Sequence, residues 1–220
     1  MSSIVRPKSL TELVTEKLTE DIISGKLKLG SQISEVKIAK EFNVSRTPVR
    51  EAINRLEMEG LVTVEPQRGT FVFCLEPDEL AQLCDARTCL ESAALISAIQ
   101  NNPKDFSNSI RECTNKMTSA RNEQNDTEYL ILDSKFHQLF FDHSGNRFLN
   151  DAYQTISQKM STVRNMLGRH PDHMSKSYKE HLEILTAIEE KNEEKALKIL
   201  HLHIDRKEGE YWSAETKKSI

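Results

Sequence analysis

Apolar positions recur at helical spacing along almost the whole chain, and the breaks between these runs carry cap and turn signals. Ser9-Leu-Thr-Glu12 has the pattern of a capping box and opens an amphipathic helix that runs to about residue 24, with Gly25 placed to end it. Residues 26–33 read as a short connector containing Gly30. Ser34 is placed to cap a helix over 35–42, and Asn43-Val44 reads as a tight turn, because Asn tolerates the left-handed conformation. Ser45 is placed to cap a third helix over 46–59, where Pro48 is tolerated in the first turn and Gly60 ends the run. The period then changes. Residues 61–65 and 70–73 alternate as two strands around the turn Pro66-Gln-Arg-Gly69. Helix, short helix, turn, helix and hairpin is the order of a winged helix-turn-helix.

After the linker Leu75-Glu-Pro77 the alternation disappears, and helices are predicted over 78–100, 103–123, 127–143, 147–168, 175–190 and 193–216. The breaks fall at Asn101-Asn-Pro103, Asn125-Asp126, Ser144-Gly-Asn146, Arg169-His-Pro171 and Lys191-Asn192. The expected fold is mainly α. A winged helix-turn-helix in residues 1–75 precedes an all-helical bundle in residues 78–216.

Composition sharpens this picture. With 220 residues the chain can bury two cores, and the low aromatic content (6%) and seven glycines disfavour a β-sandwich or barrel. No stretch approaches the ~20 apolar residues of a membrane span, and the first residues lack an apolar signal region, so a cytoplasmic protein is expected. Cys74, Cys84, Cys89 and Cys113 form no CxxC pair and are expected to be free and mostly buried thiols. The net charge of −4 is unevenly spread. Residues 1–75 hold 11 Lys+Arg against 10 Asp+Glu, leaving 19 against 24 in the rest. Only the front part is suited to a polyanion.

The front part also carries the sharpest chemistry, in Val44-Ser-Arg-Thr-Pro-Val-Arg-Glu51. A recognition helix enters the major groove by its N-terminal turn, and Ser45, Arg46, Thr47 and Arg50 lie there. Arg46 and Arg50 are four apart and share a face, from which each can make a bidentate contact to guanine or phosphate. Arg68 and Gly69 sit at the hairpin tip, within reach of the DNA backbone or minor groove. This run, together with Ile33-Ser-Glu35, Ile38-Ala39, Arg55-Leu56-Glu57 and Glu59-Gly60, resembles the DNA-binding domain of GntR-family bacterial regulators over residues 9–73. The resemblance implies a homodimer on a palindromic double-stranded operator, with DNA contacts from Arg46, Thr47, Arg50 and Gly69. Val36 departs from the arginine that some members carry at that position.

In the rear part Asp133 and His137 lie four apart on one helical face, a spacing that suits two ligands of one metal. His181 and His203 belong to apolar stripes, with Ile184, Leu185 and Ile188 in one case and Ala196, Ile199 and Leu200 in the other. They point inward either as ligands or as core histidines bonded to backbone or water. His143, His170, His173 and His201 read as surface or helix-end residues, and Tyr211 and Trp212 as core or interface. Residues 78–212 resemble the FCD effector domain of FadR-like members of the same family, through Arg87 and Glu91, Asp133-x-x-x-His137, Gly145-Asn146, Glu180-His181 and His203. The resemblance implies a divalent metal on Asp133, His137, His181 and His203 (zinc favoured over nickel, manganese or iron), with a small organic acid beside it. Arg87 is then a candidate anchor for that acid, or a salt-bridge partner of Glu91. Asn146 is a candidate pocket residue, or the cap of the helix that starts near 147.

The expected function is a ligand-responsive, DNA-binding transcriptional regulator, which the resemblance implies to be a repressor, in which the effector alters the placement of two DNA-binding domains. The rivals are a metal-responsive regulator, a metal-dependent enzyme fused to a DNA reader, and a constitutive architectural protein. No general-base carboxylate stands out beside the four candidate ligands, which disfavours the enzyme.

Overall fold

The computed structural model describes residues 7–168 and 171–204. The chain separates into two compact units, with the division between Cys74 and Leu75.

The first unit holds α1 (Leu10–Ile23), β1 (Gln32–Ile33), α2 (Glu35–Glu41), α3 (Arg46–Met58), β2 (Val62–Glu65) and β3 (Gly69–Val72). The capping box at Ser9 forms in full: Ser9 Oγ accepts from the Glu12 amide, and the Glu12 carboxylate accepts from the Ser9 amide. Val14, Leu18 and Ile22 bury against the helix-turn-helix, whose own buried face is Val49, Ala52, Ile53 and Leu56. Asn43 takes φ +54°, the left-handed turn expected between α2 and α3. Ser45 does occupy the N-cap position of α3, but its side chain makes no capping hydrogen bond.

The sheet has the order β1-β3-β2, all antiparallel, with Gln32 opposite Phe71 and Val64 opposite Thr70. The connector read over 26–33 therefore ends in a third strand. Two residues are too few to show a period of two, and only the burial of Ile33 beside exposed Gln32 reveals the pleat. The strand seats one edge of the wing hairpin and fixes where its tip lies.

The second unit contains α4 (Pro77–Asn101), α5 (Pro103–Asn122), α6 (Asp126–Ser144), α7 (Arg147–Leu167), α8 (Pro171–Glu189) and α9 (Glu193–Ile204). No strand occurs among its described residues. Its core runs along Leu95, Phe106, Ile110, Met117, Phe136, Phe140, Ile184, Ala187 and Leu200. Phe106 packs edge-on against Phe140 at 6.0 Å, and Phe140 packs likewise on Phe136 at 5.4 Å. α6 ends at Gly145 in the left-handed conformation. α8 begins four residues before its expected start, because Pro171 opens the helix instead of closing the preceding break; a proline fits a first turn that needs no amide partner. His173 consequently lies on a helix and not in a loop. The predicted continuation of α9 to 216, with Tyr211 and Trp212, and the surface assignment of His170 lie outside the described residues.

The cysteines differ from expectation. Only Cys113 is buried, and burial pushes its thiol up to about 12, with Asp133 adding to the shift; Cys74 and Cys89 are exposed and Cys84 is intermediate. Among the described residues no helix is long and apolar enough to cross a membrane.

Phe106→Ala should cost about 3–5 kcal/mol, the range for an aromatic cavity in a close-packed core. Phe148→Ala, at a residue 69% exposed, should cost less than about 0.5 kcal/mol. Urea unfolding of both variants checks this contrast.

Candidate nucleic-acid interface and candidate metal centre

On the first unit the initial turn of α3 presents Ser45, Arg46, Thr47 and Arg50, all exposed, and Arg46, Thr47 and Arg50 line a shallow depression with Glu51 and Asn54. Two guanidinium groups one turn apart repel each other, and the structure answers this with Glu35 at the start of α2. Its carboxylate accepts from Arg46 Nη2 at 3.0 Å and from Arg50 Nε and Nη2 at 3.3 and 3.2 Å. The Arg50 guanidinium, with Arg46 beside it, holds the Glu35 carboxyl below its ordinary range despite partial burial. Sequence reasoning assigns Glu35 no role, because the contact joins two helices that no single-helix spacing relates.

At the wing tip Arg68 is exposed, ion-paired to Glu65 and placed over the Phe71 ring at 5.7 Å. Gly69 has φ +120°, and a Cβ there would stand 2.7 Å from Gln32 Nε2, which donates to the Arg68 carbonyl at 3.0 Å. The glycine thus lets β1 approach the turn, a backbone reason for a residue singled out for DNA.

In the second unit α6, α8 and α9 bring His137, His181 and His203 together, all buried, with one nitrogen of each within 4.8 Å of the others. The two outer imidazoles are oriented by carboxylates. His137 Nδ1 lies 2.8 Å from Glu91 Oε2 on α4, and His203 Nδ1 lies 3.0 Å from Glu180 Oε2 on α8. A carboxylate accepts, so each Nδ1 carries the proton and each Nε2 carries a bare lone pair. Those two Nε2 atoms face each other at 3.2 Å. Arg87 Nη2 donates to His137 Nε2 at 2.9 Å, and Arg87 Nε donates to Glu91 Oε1 at 2.7 Å. His181 has no hydrogen-bond partner at either ring nitrogen, and its Nε2 is 3.5 Å from Asp133 Oδ1. The other Asp133 oxygen lies 3.1 Å from Arg164 Nε, an ion contact without hydrogen-bond alignment.

Burial dominates the protonation of this cluster. Desolvation pulls His181 down to about 4, with Asp133 opposing. It also pulls His137 and His203 well below their ordinary value, helped by Arg87 for the first and by His181 for the second. Burial alone would raise the Asp133 carboxyl, but His181, Arg164 and Arg87 hold it below its ordinary value. Three neutral imidazoles and one carboxylate therefore converge, walled by Phe136 at 4.4 Å from the His181 ring. This donor set fits a divalent ion. Two imidazole nitrogens on one tetrahedral zinc stand about 3.3 Å apart, close to the 3.2 Å between His137 and His203.

A cleft of about 20 Å³ opens beside the cluster, lined among others by Arg87, Asp133, Arg164, His173, Ser177 and His203. It has room for a water molecule. Arg87 faces it while paired with Glu91. Asn146 is not among its lining residues; its Oδ1 accepts from the Phe148 and Leu149 amides and caps α7. His143 bonds Ser109 and His201 bonds Ser92, both away from the cluster. His173, read as a loop residue, and Arg164, given no role, both border the cleft. The signal for Arg164 is present in the pattern of α7, where it lies between the buried Val163 and Leu167.

Comparison with known proteins gives concordant findings. Residues 10–72 match the family model described as bacterial regulatory proteins, gntR family, and residues 82–206 match the FCD domain. The Nta operon transcriptional regulator of Aminobacter aminovorans is 30% identical over 179 residues, 80% of this chain and 82% of its own. The HTH-type transcriptional repressor RspR of Escherichia coli is 24% identical over 207 residues, 90% of this chain and 91% of its own. A GntR transcriptional regulator from a Rhodococcus species has the same fold, with a TM-score of 0.81 at 23% identity, covering 94% of this chain and 99% of that one.

The lowered histidines give the stability of the metal-free protein a sign. In the unfolded chain each imidazole takes a proton near pH 6.5, whereas folded His181 does so only near 4. Between these values the unfolded state binds more protons, so stability is complete above pH 6.5 and is lost as pH falls toward 4. Chelator-treated protein should lose at least about 2 kcal/mol between pH 7 and pH 5 in urea titrations, and equal stabilities would contradict the assignment.

Proposed function

The chain belongs to the GntR family of bacterial regulatory proteins and carries an FCD domain, and we propose that it is a homodimeric repressor whose metal-anchored bundle binds a small carboxylate. It is a DNA-binding transcriptional regulator and not an enzyme, as are the families and relatives it matches. We assign DNA binding to residues 1–75, and metal binding, effector binding and dimerisation to residues 78–216, with action in the cytoplasm on a palindromic operator.

One observation carries the metal reading: His181 is buried with both ring nitrogens unbonded, beside two more imidazoles whose lone pairs face each other. Asp133, His137, His181 and His203 would hold the ion, and Glu91 and Glu180 would orient two of the ligands. The ion would supply a Lewis-acidic anchor for a carboxylate, with Arg87 beside it. Three imidazoles and a carboxylate suit zinc first, then nickel, manganese or iron. A bound acid would raise or lower operator affinity by shifting the regulator between two states.

The DNA reading rests on the exposed first turn of α3 and on Glu35, which lets Arg46 and Arg50 project side by side. Ser45 and Thr47 add hydroxyls, and Arg68 and Gly69 bring the wing tip to the backbone.

Elemental mass spectrometry on tag-free protein should find about one divalent ion per chain, lost in His181→Ala and His203→Ala. A metal-free wild type after reloading would return the histidines to the core. Arg46→Ala and Arg50→Ala should each weaken specific operator binding by about 10- to 100-fold. Fluorescence anisotropy on operator and scrambled duplexes measures this, and equal losses on both would make the arginines phosphate contacts only.

A further inference from the structure

We infer that Asn54 is a further DNA-reading residue and that it reads an adenine: α3 lies along the major groove over three turns instead of entering it by its first turn alone. This inference rests on the DNA reading above and adds a residue, a base and a docking direction to it.

The depression on the first unit is bordered by Arg46, Thr47, Arg50, Glu51 and Asn54. Counted from Thr47, the last four fall at positions 0, 3, 4 and 7, one continuous face of the helix. A reading helix that lies along a groove uses such a face, whereas one that enters end-on uses its first turn. Thr47 and Asn54 stand about 10 Å apart along the helix axis, more than the ~8.5 Å depth of the major groove. Asn54 therefore reaches base edges only when α3 runs along the groove, where this span covers about three base-pair steps.

The helix itself gives no reason for an asparagine at this position. Asn54 is exposed in the interior of α3, where asparagine is a poorer helix former than alanine. It caps neither end of the helix, and no hydrogen bond among the described residues engages its side-chain amide. A locally unfavourable residue without a compensating contact marks a place where function overrides propensity. A free carboxamide presents a donor and an acceptor side by side, the complement of the N6 amino group and N7 on the major-groove edge of adenine. Guanine offers two acceptors there, which suits Arg46 and Arg50 instead. The acid on this face, Glu51, is tied to α1, where its Oε2 accepts from Thr11 Oγ1 at 2.6 Å. That contact restrains a carboxylate that would otherwise repel the phosphates beside Asn54.

The test is selection of binding sites from a random double-stranded DNA pool by the full chain, followed by fluorescence anisotropy on the enriched duplex. Wild type should enrich a site with guanines and with one adenine per half-site that Asn54→Ala no longer selects. Replacing that adenine by 7-deazaadenine removes only the N7 acceptor and should weaken wild-type binding about tenfold. Asn54→Ala should bind the unmodified duplex about tenfold more weakly than wild type and should not respond to the replacement. Alanine is the better helix former at an exposed position, so this variant keeps the fold. Where Arg50→Ala loses operator binding, three results would overturn the role of Asn54 alone: an unchanged selection by Asn54→Ala, a preference lost at a G·C pair, or an equal loss on a scrambled duplex. An Arg50→Ala variant that binds the enriched duplex like wild type would overturn the DNA reading of α3 and this inference with it.

Discussion

An imidazole buried in an apolar bundle must stay neutral, and a neutral imidazole still needs a partner for its lone pair. Three such rings meet in the second unit, and among the described residues neither ring nitrogen of His181 has a hydrogen-bond partner. The surrounding residues follow from this constraint. Glu91 and Glu180 take the outer protons of His137 and His203 and so aim their Nε2 atoms inward. Arg87 covers one lone pair, while Phe136 packs on the His181 ring at 4.4 Å. Charged residues this deep cost free energy unless paired, and here each acid faces a base. A helical core of this size has no need of such a cluster for stability, which is why it reads as a ligand site.

The DNA-binding unit solves a different problem with the same chemistry. Two like charges project from one turn of α3, and one carboxylate from the preceding helix holds them together. Glu35 limits the rotamers of both arginines, so under the proposed DNA reading less side-chain freedom would be lost on binding. β1 does the same for the wing through Gln32 and the close approach at Gly69.

Much of this was legible from local pattern. The helices announce themselves by period and by caps such as Ser9 with Glu12 and Asn146, and the Asp133–His137 pair follows from one turn of helix. What local pattern could not show was tertiary. β1 is too short to carry a period, and Pro171 opens a helix as readily as it breaks one. Ser45 holds the cap position without the cap bond, so position alone misleads there. Glu35, Arg164 and His173 gain their meaning only when a second helix is laid beside them. Arg87 is the clearest case: its i,i+4 pairing with Glu91 was readable, but its contact with His137 reaches fifty residues along the chain to α6.

The central claim, that the buried histidines are ligands and not core, is tested most directly by anomalous diffraction from crystals of zinc-loaded protein, measured on both sides of the zinc absorption edge. The account predicts one peak per chain, bonded to His137, His181 and His203 with Asp133 alongside. A peak elsewhere on the chain, or three imidazoles bridged only by water, would contradict it.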